Sequence, residues 1–475
     1  MRVTEGRGCD KVAARERLRE GGVRARMRWP KEVSVGKESA IERTSEDPSV
    51  VQWSAAKRVI FRLCFVYFGL FCLSTQILSG LLLAASDDFA DPATYPPMRQ
   101  MVIWTAKHVF RVKTELVYTG SGSGDKTFDW VLAFCLLVIA VAATIVWSAM
   151  DRRRANYVTL HKWFRVFIRF CLAGQMIGYG LAKAVPLQMS FPLLTKLVEH
   201  YGNLSPMGVL WSSIGASQAY EIFAGCAETL GGLLLIAPRT ATLGALVCLA
   251  DLTQVFMLNM TYDVPVKLFS FHLILLSVFL LAPEFSRLAN VLALNRTAEP
   301  STQPALFRTR RANRIALGAQ IAVGIWIVGS NVYGSWHAWY EYGGARPKSA
   351  LYGIWDVNEF TIDGQERAPL LTDKDRWRRV FFDFPEYANY QHMDESLAGF
   401  GAAIDTKTAT IALTKRGDKN WKASLAYTRP ADDRLTLDGQ LDGHTIHMEL
   451  QREDLGKFEL VKRGFHWVQE YPYNR

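Results

Sequence analysis

The sequence predicts an α-helical polytopic membrane bundle of about seven spans followed by an antiparallel β-barrel domain. Three observations carry this reading. Long apolar runs dominate from about Arg58 to Ser335, Lys and Arg collect in alternate loops between those runs, and after about Ala350 the pattern changes to period-two alternation. The chain has 475 residues, is 49% hydrophobic and has a mean hydropathy near zero. That average hides polar ends flanking an apolar middle.

The organisation follows in order. Residues 1–57 are rich in Arg, Lys and Glu without apolar periodicity, which predicts a disordered basic cytoplasmic leader. No apolar h-region stands within signal-peptide distance, so a cleaved secretory signal is not expected. Met27 offers an alternative start. Residues 58–335 form the expected bundle, with an outer loop at 85–128. Residues 336–348 are a linker containing Gly343-Gly344-Ala345-Arg346-Pro347, and 349–475 are the β domain.

A hydrocarbon core ~30 Å thick needs about 20 apolar residues in a helix. The expected spans are Val59 to Ala84, Trp130 to Met150, Phe164 to Leu181, Ala219 to Ile236, Thr242 to Leu258, Val264 to Leu281 and Ile315 to Val332. The fourth and fifth, separated by Ala237-Pro238-Arg239-Thr240, read as a tight helical hairpin. Arg152-Arg153-Arg154, Lys162, Arg165, Arg239, Arg287, Arg296, Arg308, Arg310, Arg311 and Arg314 fall on the side of the basic leader, whereas the loop from Val185 to Gln218 holds only Lys196. The positive-inside rule then places the N-terminus in the cytoplasm and the β domain outside it. In the outer loop Trp104, His108, Val109, Val112 and Leu116 suggest an amphipathic helix, interfacial in preference to packed on the bundle, which Ser121-Gly122-Ser123-Gly124-Asp125 ends as a turn.

The net charge of +10 is distributed among these loops, so topology explains it better than a nucleic-acid partner. Cys9 lies in the leader, and Cys64, Cys72, Cys135, Cys171, Cys226 and Cys248 lie in apolar runs. No Cys-x-x-Cys occurs, so packing, not redox chemistry, is their expected role.

Ionisable residues in hydrocarbon are costly, about 2.5–3.5 kcal/mol each on insertion scales, and mark candidate sites. Gln175, Tyr179 and Lys183 share one side of the third span. Glu221 and Glu228 share a face of the fourth, Asp251 and Gln254 lie together on the fifth, and Asp263, Lys267 and His272 surround the sixth. One reading is an inward polar pocket near the outer leaflet, able to hold a polar headgroup or relay a proton. The other is helix locking, with Glu228 paired to Lys183 and Asp263 to Lys267 or His272. Gly174, Gly178, Gly225, Gly231 and Gly232 are read as sites of close helix packing. His444 and His447 fall on opposite faces of a strand. No metal, haem, nucleotide or dinucleotide motif stands out, and no catalytic motif is complete.

In the β domain, Thr408 to Leu413, Trp421 to Tyr427, Arg434 to Leu441 and His444 to Leu450 alternate apolar with polar residues, separated by turns such as Lys415-Arg416-Gly417-Asp418 and Leu441-Asp442-Gly443. Eight to ten short strands suggest a meander closed into a small barrel. Such a barrel holds one small apolar ligand or is filled by side chains.

Two resemblances follow from particular residues. Gly178-Tyr179-Gly180-Leu181-Ala182-Lys183, Ala224 to Leu235, Pro238-Arg239-Thr240-Ala241, and Tyr262 to Lys267 with His272 resemble the DoxX-like family over about 170–290. That family includes a small subunit resembling that of thiosulfate:quinone oxidoreductase. The resemblance implies a bacterial inner-membrane protein and allows a quinone against Glu228 and Lys183. The C-terminal domain resembles the lipocalins through Gly353-Ile354-Trp355 and Arg463. The resemblance implies Arg463 stacked on Trp355 at one barrel end.

Two functions are therefore expected in contention. The first is an accessory or ligand-binding membrane protein that presents its barrel to an apolar ligand or an envelope protein. The second is a quinone-linked oxidoreductase membrane subunit. A transporter would need internal repeats, which are not evident.

Overall fold

The structure is a computed structural model. It describes residues 52–82, 91–301, 303–415 and 417–474. The greater part of the expected leader, including Cys9, lies outside the described residues, as does the end of the first expected span.

The helical half comprises α1 (Ala55–Ser74), α2 (Gln76–Leu82), α3 (Met98–His108), α4 (Thr127–Met150), α5 (Val158–Ala184), α6 (Leu194–Val198), α7 (Pro206–Gly215), α8 (Gln218–Ile236), α9 (Ala241–Thr261), α10 (Lys267–Leu281), α11 (Phe285–Leu292) and α12 (Arg310–Glu341). Five stretches among the described residues are long and apolar enough to cross a membrane: α4, α8, α9, the α10–α11 run and α12. The expected seven is not reached, and the two missing spans share a cause. The first expected span carries Arg62, its helix α1 starts with Lys57 and Arg58, and it is broken at Thr75, whose backbone is extended. The third is α5, which carries Lys162, Arg165 and Arg169 and is buried among α1, α2, α8, α10 and α12. A helix sheathed by protein can keep charges that a lipid-facing helix cannot.

Those arginines are held by neutral groups. Arg62 donates to the Tyr157 hydroxyl from Nε (2.9 Å) and Nη2 (2.7 Å), to Ser148 Oγ (2.7 Å) and to the Asp151 carbonyl (2.9 Å). This fastens α1 to the end of α4. Arg169 donates to Gln320 of α12 and to the Ile236 carbonyl.

The α8–α9 hairpin turns through Ala237–Thr240 as expected. In contrast, α3 is packed on α4: Val102 and Ala106 are buried in the bundle core, and Trp104 and His108 stack on each other at the surface. The helix ends at His108, so Val112 and Leu116 do not extend it. Asp125, in the following turn, accepts the Lys267 and Leu268 amides at 2.9 Å each and so caps α10.

Among the described helices, α5 and α8 pack along each other most extensively. A Cβ on Gly180 would stand 2.6 Å from the Thr229 nitrogen and 2.8 Å from the Gly225 carbonyl, and a Cβ on Gly225 would run into the Ala184 nitrogen. Only glycine permits this approach, which is the packing role expected of the Gly225 series.

The β domain contains β1 (Gly353–Ile362), β2 (Gln365–Glu366), β3 (Trp377–Phe384), β4 (Tyr387–His392), β5 (Leu397–Asp405), β6 (Thr410–Lys415), β7 (Asp418–Ala431), β8 (Arg434–Leu441) and β9 (His444–Arg452). Neighbours pair in sequence as an antiparallel meander, β2 is a short flap on β1, and β1 pairs with β9 to close an eight-stranded barrel. Closure leaves no long free edge. The four strands expected from alternation correspond to β6–β9, whose inward residues Ile411, Leu413, Leu425, Leu435, Leu437, Ile446, Met448 and Leu450 are all buried.

Replacement of Gly225 by Ala should lower the thermal stability of the detergent-solubilised protein by at least the ~1–3 kcal/mol typical of overpacking. Gly329 of α12 has nothing within 4 Å of the added methyl. Gly329→Ala should leave stability unchanged or raise it by about 1 kcal/mol through helix propensity.

Candidate functional site

The α5–α8 crossing brings together much of the expected polar set. Lys183 Nζ lies 2.9 Å from Glu228 Oε2, and both residues are buried. The Lys183 ammonium is 5.9 Å from the Tyr179 ring centroid, and the Tyr179 hydroxyl accepts a hydrogen bond from Gln76 Nε2 of α2 (2.9 Å). Gln175, two turns below Lys183, is buried against α2. Glu221 is fully buried: one carboxylate oxygen accepts the Met189 amide (2.9 Å), and the other has no hydrogen-bond partner. Asp251 of α9 lies within the electrostatic reach of Glu228 and Lys183, and its Oδ2 is also buried without a partner. One ammonium thus serves three neighbouring carboxyl groups. Both the pocket reading and the locking reading placed these residues inside the bundle, and the Lys183–Glu228 pair is the contact that locking requires.

Four expected members stand elsewhere. Gln254 is exposed on the outer face of α9, two residues beyond buried Leu252 and so on the opposite side of the helix. Asp263 follows α9 with its side chain 83% exposed and pairs with Lys267 at 2.9 Å. This pair sits at the rim, where Lys267 also approaches Asp125 at 3.7 Å. His272 is buried, stacked on Phe71 (3.9 Å, 6°). Its Nδ1 lies 2.7 Å from the Leu268 carbonyl and must donate there, which leaves Nε2 to accept from the Tyr67 hydroxyl at 2.8 Å. His272 therefore fastens α10 to α1 and does not pair with Asp263.

Sequence reasoning missed Gln76, Arg62 and Arg169. The two arginines are ionisable groups within apolar runs and satisfied the same criterion as Lys183. Gln76 carries no comparable signal, because its role depends on the break at Thr75.

In the barrel, Trp355 is fully buried and its indole nitrogen donates to the Leu351 carbonyl (2.8 Å). Gly353, at φ +150°, packs under the stem of Arg452, whose Cδ would stand 3.0 Å from an added Cβ. Arg452 is also the residue opposite Trp355 on β9. The expected Arg463–Trp355 stack is therefore not formed. Arg463 lies in the exposed C-terminal segment, 3.9 Å from the Tyr473 ring centroid and bonded to Gln469 (2.9 Å). Arg463 follows β9 in the chain but lies in the C-terminal segment away from Trp355, whereas strand register sets Arg452 opposite Trp355.

The barrel interior is filled. Trp377, Tyr390, Phe400 and Trp421 stack in a ladder with centroid spacings of 4.3, 4.8 and 4.4 Å. The void beside them is about 10 Å³, the room of at most one water. Arg376, another residue not anticipated, is fully buried and donates to the carbonyls of Arg367, Trp377, Val357 and Asn358. It ties the β2 flap to the wall.

The bundle and barrel meet through the loop after α5. Leu194 of α6 packs on Ile354 and Phe381 of the barrel wall. Its amide donates to Asp383 Oδ1 (3.3 Å), and His200 lies 2.7 Å from Glu395. Burial raises the Asp383 carboxyl above its ordinary value, and the Leu194 amide and nearby Lys348 only partly offset this.

This architecture defines a helical bundle of the membrane-spanning type that carries a closed, side-chain-filled β-barrel. No protein-family model matches the chain, and no solved structure matches it. Among curated proteins, the uncharacterised protein YwoB of Bacillus subtilis (strain 168) is 32% identical over 129 residues, which cover 27% of this chain and 79% of YwoB. The chain belongs to the YwoB family.

The raised Asp383 carboxyl gives a signed pH prediction. The folded state holds this proton more tightly than the unfolded state, so its contribution to stability grows as pH falls through the raised value. It levels off below the ordinary value of about 3.9. In Asp383→Asn that dependence should vanish. Thermal unfolding between neutral and mildly acidic pH should show the variant at least as stable as wild type at neutrality, with the difference closing on acidification.

Proposed function

We propose that this chain is a DoxX-like inner-membrane protein of accessory type, whose bundle anchors and orients a lipocalin-like barrel outside the cytoplasm. The barrel acts through its outer surface, on an envelope partner. The observation that carries this reading is the filled interior: a ladder of four stacked rings and a void of about 10 Å³ leave no room for an apolar ligand.

The DoxX-like reading draws support from how its two motifs meet. Gly180 lies against Gly225, Lys183 pairs with Glu228, and Gly232 lies against Ile177. Residues some 45 positions apart in sequence thus complete one contact. Orientation draws support from the gathering of basic segments at one end. Arg58 donates to the Arg154 carbonyl, Lys162 to the Ala305 and Leu306 carbonyls, and Arg165 to the Leu280 carbonyl. The barrel sits beside the loop at the other end of α5.

The second reading, a quinone-linked oxidoreductase subunit, is favoured by the unpartnered oxygens of Glu221 and Asp251 around Lys183. A quinol hydroxyl would donate to those oxygens, and a quinone carbonyl would instead accept from the Lys183 ammonium or from a protonated carboxyl. The chain's own residues supply donors and acceptors there, and the electrons would have to come from a partner.

Mass spectrometry of small molecules carried by the protein in mild detergent separates the two readings. The accessory reading expects no stoichiometric quinone in wild type or in Glu228→Gln. A stoichiometric quinone present in wild type and lost in Glu228→Gln would overturn it in favour of the redox subunit.

A further inference from the structure

The C-terminal segment after β9 is the part of the barrel domain that its core does not use. It comprises a short turn at Leu455–Lys457, α13 (Glu459–Lys462) and an extended stretch to Asn474. Its start is fixed: Leu455 and Phe458 pack on the cluster of Leu194, Ile354 and Phe381, where the barrel meets the bundle. Beyond that seat it presents Phe465, Trp467, Val468 and Tyr471 to solvent at 76, 91, 77 and 84% exposure. Four large side chains so exposed within seven residues are more than the scattered apolar residues of an ordinary soluble surface.

Two further observations indicate what covers them. The last three turns of α12, just before the linker to the barrel, expose Tyr333, Trp336 and Tyr340 at 66, 60 and 50%. Trp and Tyr in a band at one end of an apolar helix mark the membrane–water boundary, where the ring is apolar and its edge stays wet. The linker lies at the same level as the docking loop, since Gly343 packs on Leu187. Phe465 is seven residues beyond Phe458, so at a maximum of ~3.5 Å per residue the aromatic stretch begins within about 25 Å of the seat. The same segment carries Lys462 and Arg463 beside its aromatics, with Lys457 paired to Glu453 and with Glu459 and Glu470 of opposite charge, so the aromatic side chains and not a basic excess suit it to the headgroup layer.

We propose that Phe465, Trp467, Val468 and Tyr471 form a peripheral lipid anchor that lies in the headgroup region of the leaflet on the barrel side and pins the barrel to the membrane its own bundle spans. The proposal rests on the reading of the helical half as membrane-spanning. The anchor would add a second attachment to the one formed by Leu194 and Asp383, and so fix the tilt of the barrel and the surface it offers to a partner.

The test uses the full chain in vesicles of phosphatidylethanolamine and phosphatidylglycerol. An environment-sensitive fluorescent amino acid is placed in turn at position 467, at exposed Glu366 on the barrel flap, and at lipid-facing Val138 of α4. Nitroxide lipids labelled near the headgroup or deep in the acyl chain serve as quenchers. The expected result is several-fold stronger quenching at 467 than at 366 by the shallow nitroxide, with 138 quenched by the deep one. If 138 is quenched and 467 behaves like 366, the anchor is overturned while the membrane reading stands. If 467 is shielded from both iodide and nitroxide, protein covers it and the anchor is likewise overturned. If 138 escapes the deep quencher, the membrane-spanning reading falls and the anchor falls with it.

Discussion

The approach of α5 to α8 at Gly180 and Gly225 is the constraint on which the helical half depends. With no side chain at either position, the two backbones come close enough for Lys183 to reach Glu228 across the crossing. Burying two charges costs several kcal/mol per ion, and their attraction repays this only when the geometry is good. The glycines supply that geometry. Around the pair, Glu221 then reaches the loop beyond α5 through the Met189 amide, and that loop carries Leu194 to the barrel. One helix crossing is thus linked through a buried carboxylate to the seat of the barrel.

The barrel shows the opposite economy. Its stability comes from a dense aromatic interior and a buried arginine that donates to four backbone carbonyls and to the Met393 sulfur. A barrel of eight strands is near the size at which side chains alone fill the inside. Its interior is therefore taken up by its own side chains, and the contact through the loop after α5 sets how the barrel is held against the bundle.

Much of this was legible in the residues, for physical reasons that differ by element. The alternation in β6–β9 is visible because each strand has one face in the core and one in water. Runs such as β3 are less regular, with Asp383 turned into the bundle contact and four aromatic residues within Trp377–Phe384. Lys183 and Glu228 stood out as charges in apolar sequence. The same logic applied to Arg62 and Arg169, whose partners are neutral groups from distant helices and so leave no complementary charge to notice. The span count failed where composition was asked to describe a helix wrapped by other helices. The expected Arg463–Trp355 stack does not form because position along the chain cannot substitute for strand register, which sets Arg452 opposite Trp355.

The central claim is that Lys183 and Glu228 form a buried lock between α5 and α8, and a double-mutant cycle on thermal or denaturant unfolding tests it most directly. A lock predicts that Lys183→Met and Glu228→Met each destabilise by about 3–5 kcal/mol, because each strands a buried charge, and that the double variant recovers most of the loss. Single variants within about 1 kcal/mol of wild type, with no coupling between them, would mean that the charges are solvated in an open pocket. That result would contradict the account and return the polar centre to the role of a binding site.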